Sequence, residues 1–193
     1  MPWLTADDAL PGRPHRVLVA GTSGSGKTTL GQRIGTRTGI PHTEIDGLFH
    51  GPGWIRRPEF LDDVARLMAC PEWVTEWQYD AARPILLERA DLLVWLDLPR
   101  STVIRRVTVR TVRRRIGRHQ LWNGNVEQPL WRILTDRGHI IRWAWRTHGA
   151  QAVRIRAASA QRPDLTVVWL RSARQVQAWL EGPLRLAVAG AED

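Results

Sequence analysis

Between residues 17 and 30 the chain reads Val17-Leu18-Val19-Ala20-Gly21-Thr22-Ser23-Gly24-Ser25-Gly26-Lys27-Thr28-Thr29-Leu30. An apolar run of strand type enters a glycine-rich turn of the form G-x-x-x-x-G-K-T, and a helix-permissive segment leaves it with Leu30 and Ile34 one turn apart. This pattern restricts the fold strongly, because a buried strand must hand over at once to the N-terminus of a helix packed on the same sheet. Gly21, Gly24 and Gly26 permit positive φ and close backbone approach, so successive N–H groups from Gly21 to Thr29 converge at the positive end of that helix. Such a cradle is complementary to phosphate oxygens. Nucleotide contact is therefore expected from Gly21, Thr22, Ser23, Gly24, Ser25, Gly26, Lys27, Thr28 and Thr29, with Lys27 reaching the β- and γ-phosphates of ATP and the Thr28 hydroxyl ligating Mg²⁺. An ordinary Gly/Ser turn would need neither the strand before it nor the helix after it.

Composition supports the same point independently. Lys27 is the one lysine among 28 basic residues. A compact ammonium fits between phosphate oxygens where a planar guanidinium does not. The 193 residues suffice for one well-buried domain, and 43% hydrophobic and 24% charged residues are ordinary for a globular protein. No apolar run approaches the ~20 residues of a membrane span, and the first residues lack a basic and then apolar leader, so a cytoplasmic location is expected. The single cysteine, Cys70, cannot form an internal disulfide and is expected to be a small core residue. A net charge of +9 suits an anionic partner, which a nucleotide-handling enzyme and a nucleic-acid binder both have.

Along the chain, residues 1–14 hold three prolines and no periodicity, and read as an irregular lead-in. Strands are expected over about 16–20, 42–46, 73–76, 92–96 and 165–170. Helices are expected from the glycine loop to Thr38, from Pro58 with Phe60, Val64, Leu67 and Met68 on one face, over 83–89, from Ser101 to about Arg115, around 128–135 and 138–148, and over 172–180. Strands alternating with helices imply a parallel sheet, whose carboxyl edge would bring the glycine loop, Asp46, Glu76, Asp97 and the turn 171–174 to one rim.

The glycine loop, Ile45-Asp46-Gly47-Leu48-Phe49, Pro52-Gly53-Trp54, Leu96-Asp97-Leu98-Pro99-Arg100 and Leu121-Trp122-Asn123-Gly124-Asn125 together resemble the adenylate kinase-related P-loop proteins of the topology-modulation (FlaR-like) group, over most of residues 15–182. The resemblance implies a small-molecule or nucleotide kinase with a core, a substrate arm after the second strand and a mobile lid after the fourth. In similar kinases a carboxylate at the position of Asp46 orders Mg²⁺ waters or takes a substrate hydroxyl. Glu44, two residues earlier, would share its strand face. Where that group carries Asp followed by Gly and Asn, this chain has Glu76-Trp77-Gln78-Tyr79. Trp77 there is either a packing residue or an obstacle to a substrate lying against the backbone.

Arg106, Arg110, Arg113 and Arg114 fall at helical spacing, and the resemblance implies that lid arginines, with Arg110, Arg114 and Arg118 the candidates, neutralise charge on the transferring group. A solvated basic face is the bland alternative for them. Arg171 and Arg174 lie in a turn resembling the one over adenine in related kinases. The expected fold is a three-layer α/β P-loop NTPase with a central parallel five-stranded sheet and a helical lid. It forms a single domain over 1–193, with its core over about 15–99 and 160–182 and the lid over about 100–149. The expected function is ATP-dependent phosphotransfer to an unidentified small-molecule acceptor. Lys27, Asp46, Glu76, Arg110, Arg114 and Arg118 are the catalytic candidates, and Thr28 and Asp46 the Mg²⁺ candidates. A nucleotide-dependent nucleic-acid-associated protein and a scaffold with little turnover are the alternatives.

Overall fold

The computed structural model describes residues 3–117, 122–125, 145 and 149–191, with the side chains of Arg114 and Arg115 left aside. Six parallel strands form one sheet: β1 (Trp3–Leu4), β2 (Arg16–Gly21), β3 (His42–Thr43), β4 (Trp73–Glu76), β5 (Leu92–Leu96) and β6 (Thr166–Leu170), in the order β1-β6-β5-β2-β4-β3. The helices are α1 (Lys27–Thr38), α2 (Ile45–Phe49), α3 (Phe60–Ala69), α4 (Arg83–Arg89), α5 (Arg100–Ile116), α6 (Ala150–Gln161), α7 (Ala173–Glu181) and α8 (Pro183–Ala189). Short 3₁₀ turns occupy Pro52–Trp54 and Trp122–Gly124.

The central strands read as unbroken apolar runs because both of their faces are covered. Leu18 and Ala20 of β2 point into one core with Leu93, Trp95, Phe60, Val64, Leu86 and Ile155, beneath α3, α4 and α6. Val17 and Val19 point the other way, into a second core with Leu30, Ile34, Val94, Val168, Trp179 and Leu184, beneath α1, α7 and α8. Period-two alternation in a single strand thus builds a three-layer α/β fold. Among the described residues no helix is long and apolar enough to cross a membrane.

Several expectations are corrected. The sheet has six strands rather than five, because the lead-in contributes Trp3–Leu4 to its edge. A two-residue strand carries no periodicity, and this one is held by tertiary contacts. The Trp3 indole packs edge-on against Trp95 and Trp169 at 6.0 and 6.2 Å and donates to Ser159 Oγ at 3.1 Å. The strand expected over 42–46 stops at Thr43, and Ile45 opens a helix whose first N–H is taken by Glu76 Oε2 at 2.9 Å. Glu44 and Asp46 therefore do not share a strand face. Cys70 is exposed, since it follows the last residue of α3 rather than facing the core. Pro58 lies in the turn before α3, which begins at Phe60. Helices α6 and α8 were not expected, whereas those expected around 128–135 and 138–148 lie outside or almost wholly outside the described residues.

Candidate functional site

The glycine loop connects β2 to α1 at the carboxyl edge of the sheet. Gly21, Gly24 and Gly26 have φ of 153°, 84° and 101°, and Gly26 caps α1 with no side-chain hydrogen bond, leaving the first helical N–H groups to the loop's interior. Three neighbours fix the loop from outside. A Cβ on Gly24 would meet Val107 Cβ at 2.9 Å and the Val103 carbonyl at 3.0 Å, so α5 presses directly on the loop's apex. Arg106 Nη1 donates to the Ser25 carbonyl at 3.3 Å, and the buried Gln151 of α6 donates from Nε2 to the Gly21 carbonyl at 3.1 Å. Inside the loop, Ser25 Oγ is buried and makes no hydrogen bond. A backbone cradle with converging donors and an unmet buried hydroxyl fits the oxygens of a phosphate chain.

Lys27 Nζ folds back to the Thr22 carbonyl at 3.4 Å. Enclosure by the surrounding protein pushes its ammonium down, as do the guanidinium groups of Arg110 and Arg83, while the carboxylates of Asp46 and Glu76 pull it up. That balance places Lys27, Asp46, Glu76 and Arg110 in one electrostatic neighbourhood.

Glu76, at the end of β4, is 3% exposed. Besides taking the Ile45 N–H it lies 3.3 Å from His42 Nε2 through Oε1, with the Thr28 hydroxyl beside it. Burial pushes its carboxyl up, but the neighbouring His42 ring, the Ile45 N–H and the Thr28 hydroxyl together outweigh that and hold it below the usual carboxylate range. Thr28 and Glu76 are thus the pair next to the loop whose oxygen chemistry suits Mg²⁺. Among the described residues no three His, Cys, Asp or Glu side chains form a ready-made metal cage.

Asp46 stands apart from that pair. Its Oδ1 accepts hydrogen bonds from Gln78 Nε2 and the Tyr79 hydroxyl, both at 2.6 Å. Tyr79 stacks on Phe49 at 3.8 Å and sits at φ 63°, a conformation that costs a bulky residue about 1–3 kcal/mol. Trp77 is a packing residue: it is buried in the core beside α3 and α4, with its indole N–H on the Arg83 carbonyl at 3.2 Å. The Arg83 guanidinium lies over its ring at 5.7 Å.

The segment Trp122–Asn125 clasps the loop that follows α2. Asn125 Oδ1 accepts from the Trp54 N–H at 2.9 Å while its Nδ2 donates to the Gly51 carbonyl at 2.8 Å, and Asn123 donates to the His50 carbonyl. Trp122 donates to Glu44 Oε2 at 2.9 Å and lies against Gly47, where a Cβ would meet its Cδ1 at 3.0 Å. Glu44 is therefore a partner of Trp122.

Of the residues singled out from sequence, Lys27, Thr28, Asp46, Glu76 and Arg110 are brought together. Arg171 and Arg174 lie at the same edge but two strands away, beyond β5, with the Arg171 guanidinium 5.0 Å from the Trp169 ring. The side chain of Arg114 and all of Arg118 lie outside the described residues. Gln78, Tyr79, Gln151 and the asparagine pair gave no motif that assigns these contacts, because each acts through a partner more than 30 positions away.

No protein-family model matches the chain, and no curated protein matches it. Solved structures do. A gluconokinase from Sinorhizobium meliloti 1021 is 21% identical, with 96% of this chain and 98% of that one covered and a TM-score of 0.48. A shikimate kinase from Aquifex aeolicus is 12% identical, with 92% and 98% covered and a TM-score of 0.49. A sugar kinase from Janibacter sp. HTCC2649 is 19% identical, with 98% and 92% covered and a TM-score of 0.43. At these scores and identities the likeness says nothing about what this chain binds or transforms.

Proposed function

We propose that the chain is an ATP-dependent phosphotransferase of the small-molecule or nucleotide kinase type, related to the adenylate kinase-like topology-modulation proteins. One observation carries this reading. A glycine cradle at the N-terminus of α1 has Lys27, the Thr28–Glu76 pair and Asp46 gathered beside it. Phosphate-chain binding alone would need the cradle and the lysine; the separately anchored carboxylate of Asp46 adds a group able to orient a second molecule.

In this reading the loop N–H groups and Lys27 hold the phosphates of ATP, and Thr28 with Glu76, or Asp46 through water, holds Mg²⁺. Bound Mg²⁺ supplies neutralising charge to phosphate oxygens. Asp46 accepts a hydrogen bond from the acceptor hydroxyl and aims its oxygen along the line of transfer. Arg110, with Arg114 and Arg118 beyond it, contributes positive charge to the loose transition state. Arg171 and Arg174 flank the nucleotide base. The domain assignment goes with this reading: a single kinase-like unit over 1–193, with a helical lid over about 100–149.

The test is turnover of MgATP with a panel of nucleoside monophosphates, sugars and hydroxy acids. Lys27→Ala should abolish transfer and weaken ATP binding severely in calorimetry. Asp46→Ala should lower kcat on the order of 100-fold or more while ATP binding stays within about twofold. Equal ATP affinity in the Lys27 variant would sink the reading.

A further inference from the structure

Donors from the segment after β4 meet at one carboxylate oxygen on α2. Asp46 Oδ1 receives both the Gln78 amide and the Tyr79 hydroxyl at 2.6 Å, and the phenol oxygen is also 3.2 Å from His50 Nε2. The Tyr79 ring is clamped, stacked on Phe49 with 11° between planes and met edge-on by Phe60 at 5.4 Å. Its carbonyl accepts the Ala82 and Arg83 N–H groups that lead into α4. Positive φ at Tyr79 lets one residue do both, opening α4 with its backbone while its side chain turns back over α2. A connection needed only to join β4 to α4 could place glycine there without strain.

We propose that Tyr79, seconded by Gln78, is a positioning residue for Asp46, fixing Oδ1 so that Oδ2 is the oxygen offered to the acceptor hydroxyl. Two donors on one oxygen define the plane of the carboxylate, and among the described residues no hydrogen bond is made to Oδ2. The inference rests on the reading of Asp46 as the acceptor-orienting group. The charged groups facing this cluster are Lys27 from α1, Glu76 from β4 and His50 after α2. Burial pushes the Tyr79 phenol up, and the negative charge and hydrogen bond of Asp46 push it further, so it remains a donor far above neutral pH. Burial also pushes the His50 ring down, against the pull of Asp46.

In crystal structures of the native protein and of Tyr79→Phe, the Asp46 carboxylate should hold the plane set by both donors in the first and turn away from it in the second. Tyr79→Phe keeps the stacked ring and removes only the hydroxyl. With whichever acceptor of the panel is phosphorylated, it should lower kcat on the order of 10- to 100-fold while the KM for MgATP stays within about twofold and the melting temperature barely moves. An Asp46 carboxylate oriented identically in the two structures, or an unchanged kcat in Tyr79→Phe, would overturn the proposal. Failure of the native protein to phosphorylate any acceptor would count against the phosphotransfer reading, whereas the two structures read the Tyr79–Asp46 contact by themselves.

Discussion

In α1 there is no room for a methyl group at Gly31, where a Cβ would come within 2.4 Å of His42 Nε2. Two effects oppose each other in Gly31→Ala. Helix propensity favours alanine by about 1 kcal/mol, while overpacking against a nearly buried ring costs about 1–3 kcal/mol and pushes His42 away from Glu76. The variant should be less stable, with a lower midpoint and unchanged slope in urea unfolding; a higher midpoint would mean the ring yields freely. Glu76 makes a pH-dependent contribution. Because its folded pKa is lowered, the stability it contributes is present above the unfolded value near 4.5 and is lost as pH falls through the folded one. Glu76→Gln should therefore lose less stability than the native protein when both are taken from pH 6 to pH 3 in thermal melts. At the scale of single residues, the placement of Lys27 and Thr28 at the head of α1 was legible because the G-x-x-x-x-G-K-T spacing fixes where that helix begins. Gln78 and Tyr79 were not, since their meaning comes from Asp46, which only the fold brings near.

Among the elements, legibility followed length and apolar continuity. Strands β4 and β5 and helix α4 fall where their apolar runs and breakers put them, and α1 stops at Gly39, which takes the left-handed conformation at φ 75°. Two of the failures are short elements whose stabilising partners are remote, β1 with its Trp95 and Trp169 contacts and α2 with its first N–H on Glu76, while α6 was missed despite its 12 residues because its apolar positions form no clear stripe. The clasp of Trp122–Asn125 has the same character, since the quoted motif gave family likeness but no partner. Asn125 satisfies the Trp54 N–H and donates to the Gly51 and Trp122 carbonyls. Asn125→Ala should cost roughly 1–3 kcal/mol of local stability, the penalty for a buried donor left unmet. Hydrogen exchange at the Trp54 amide should speed up accordingly, with ATP affinity unchanged; unaltered exchange would show that the clasp does not hold this loop.

For the molecule as a whole, the net charge of +9 would attract nucleic acid, and much of the described acidic complement is engaged locally, as in Arg13–Glu72, Arg37–Glu181 and Arg162–Asp164. Attraction of this kind is dominated by counterion release, with a log–log salt slope near −0.9 for each phosphate neutralised. Binding to duplex DNA should accordingly be weak and erased by physiological salt in fluorescence anisotropy; tight binding that survives such salt would favour the nucleic-acid alternative. The contact of Gly24 with Val103 and Val107 has a mechanical consequence. With the backbone of α5 seated on the apex of the loop, the first two turns of that helix and the loop form one stiff body, so the helix cannot swing as a lever from its root at Arg100. Were α5 to act as the root of the proposed lid, its pivot would lie farther out, past Val107, with the surface that grips the loop unchanged.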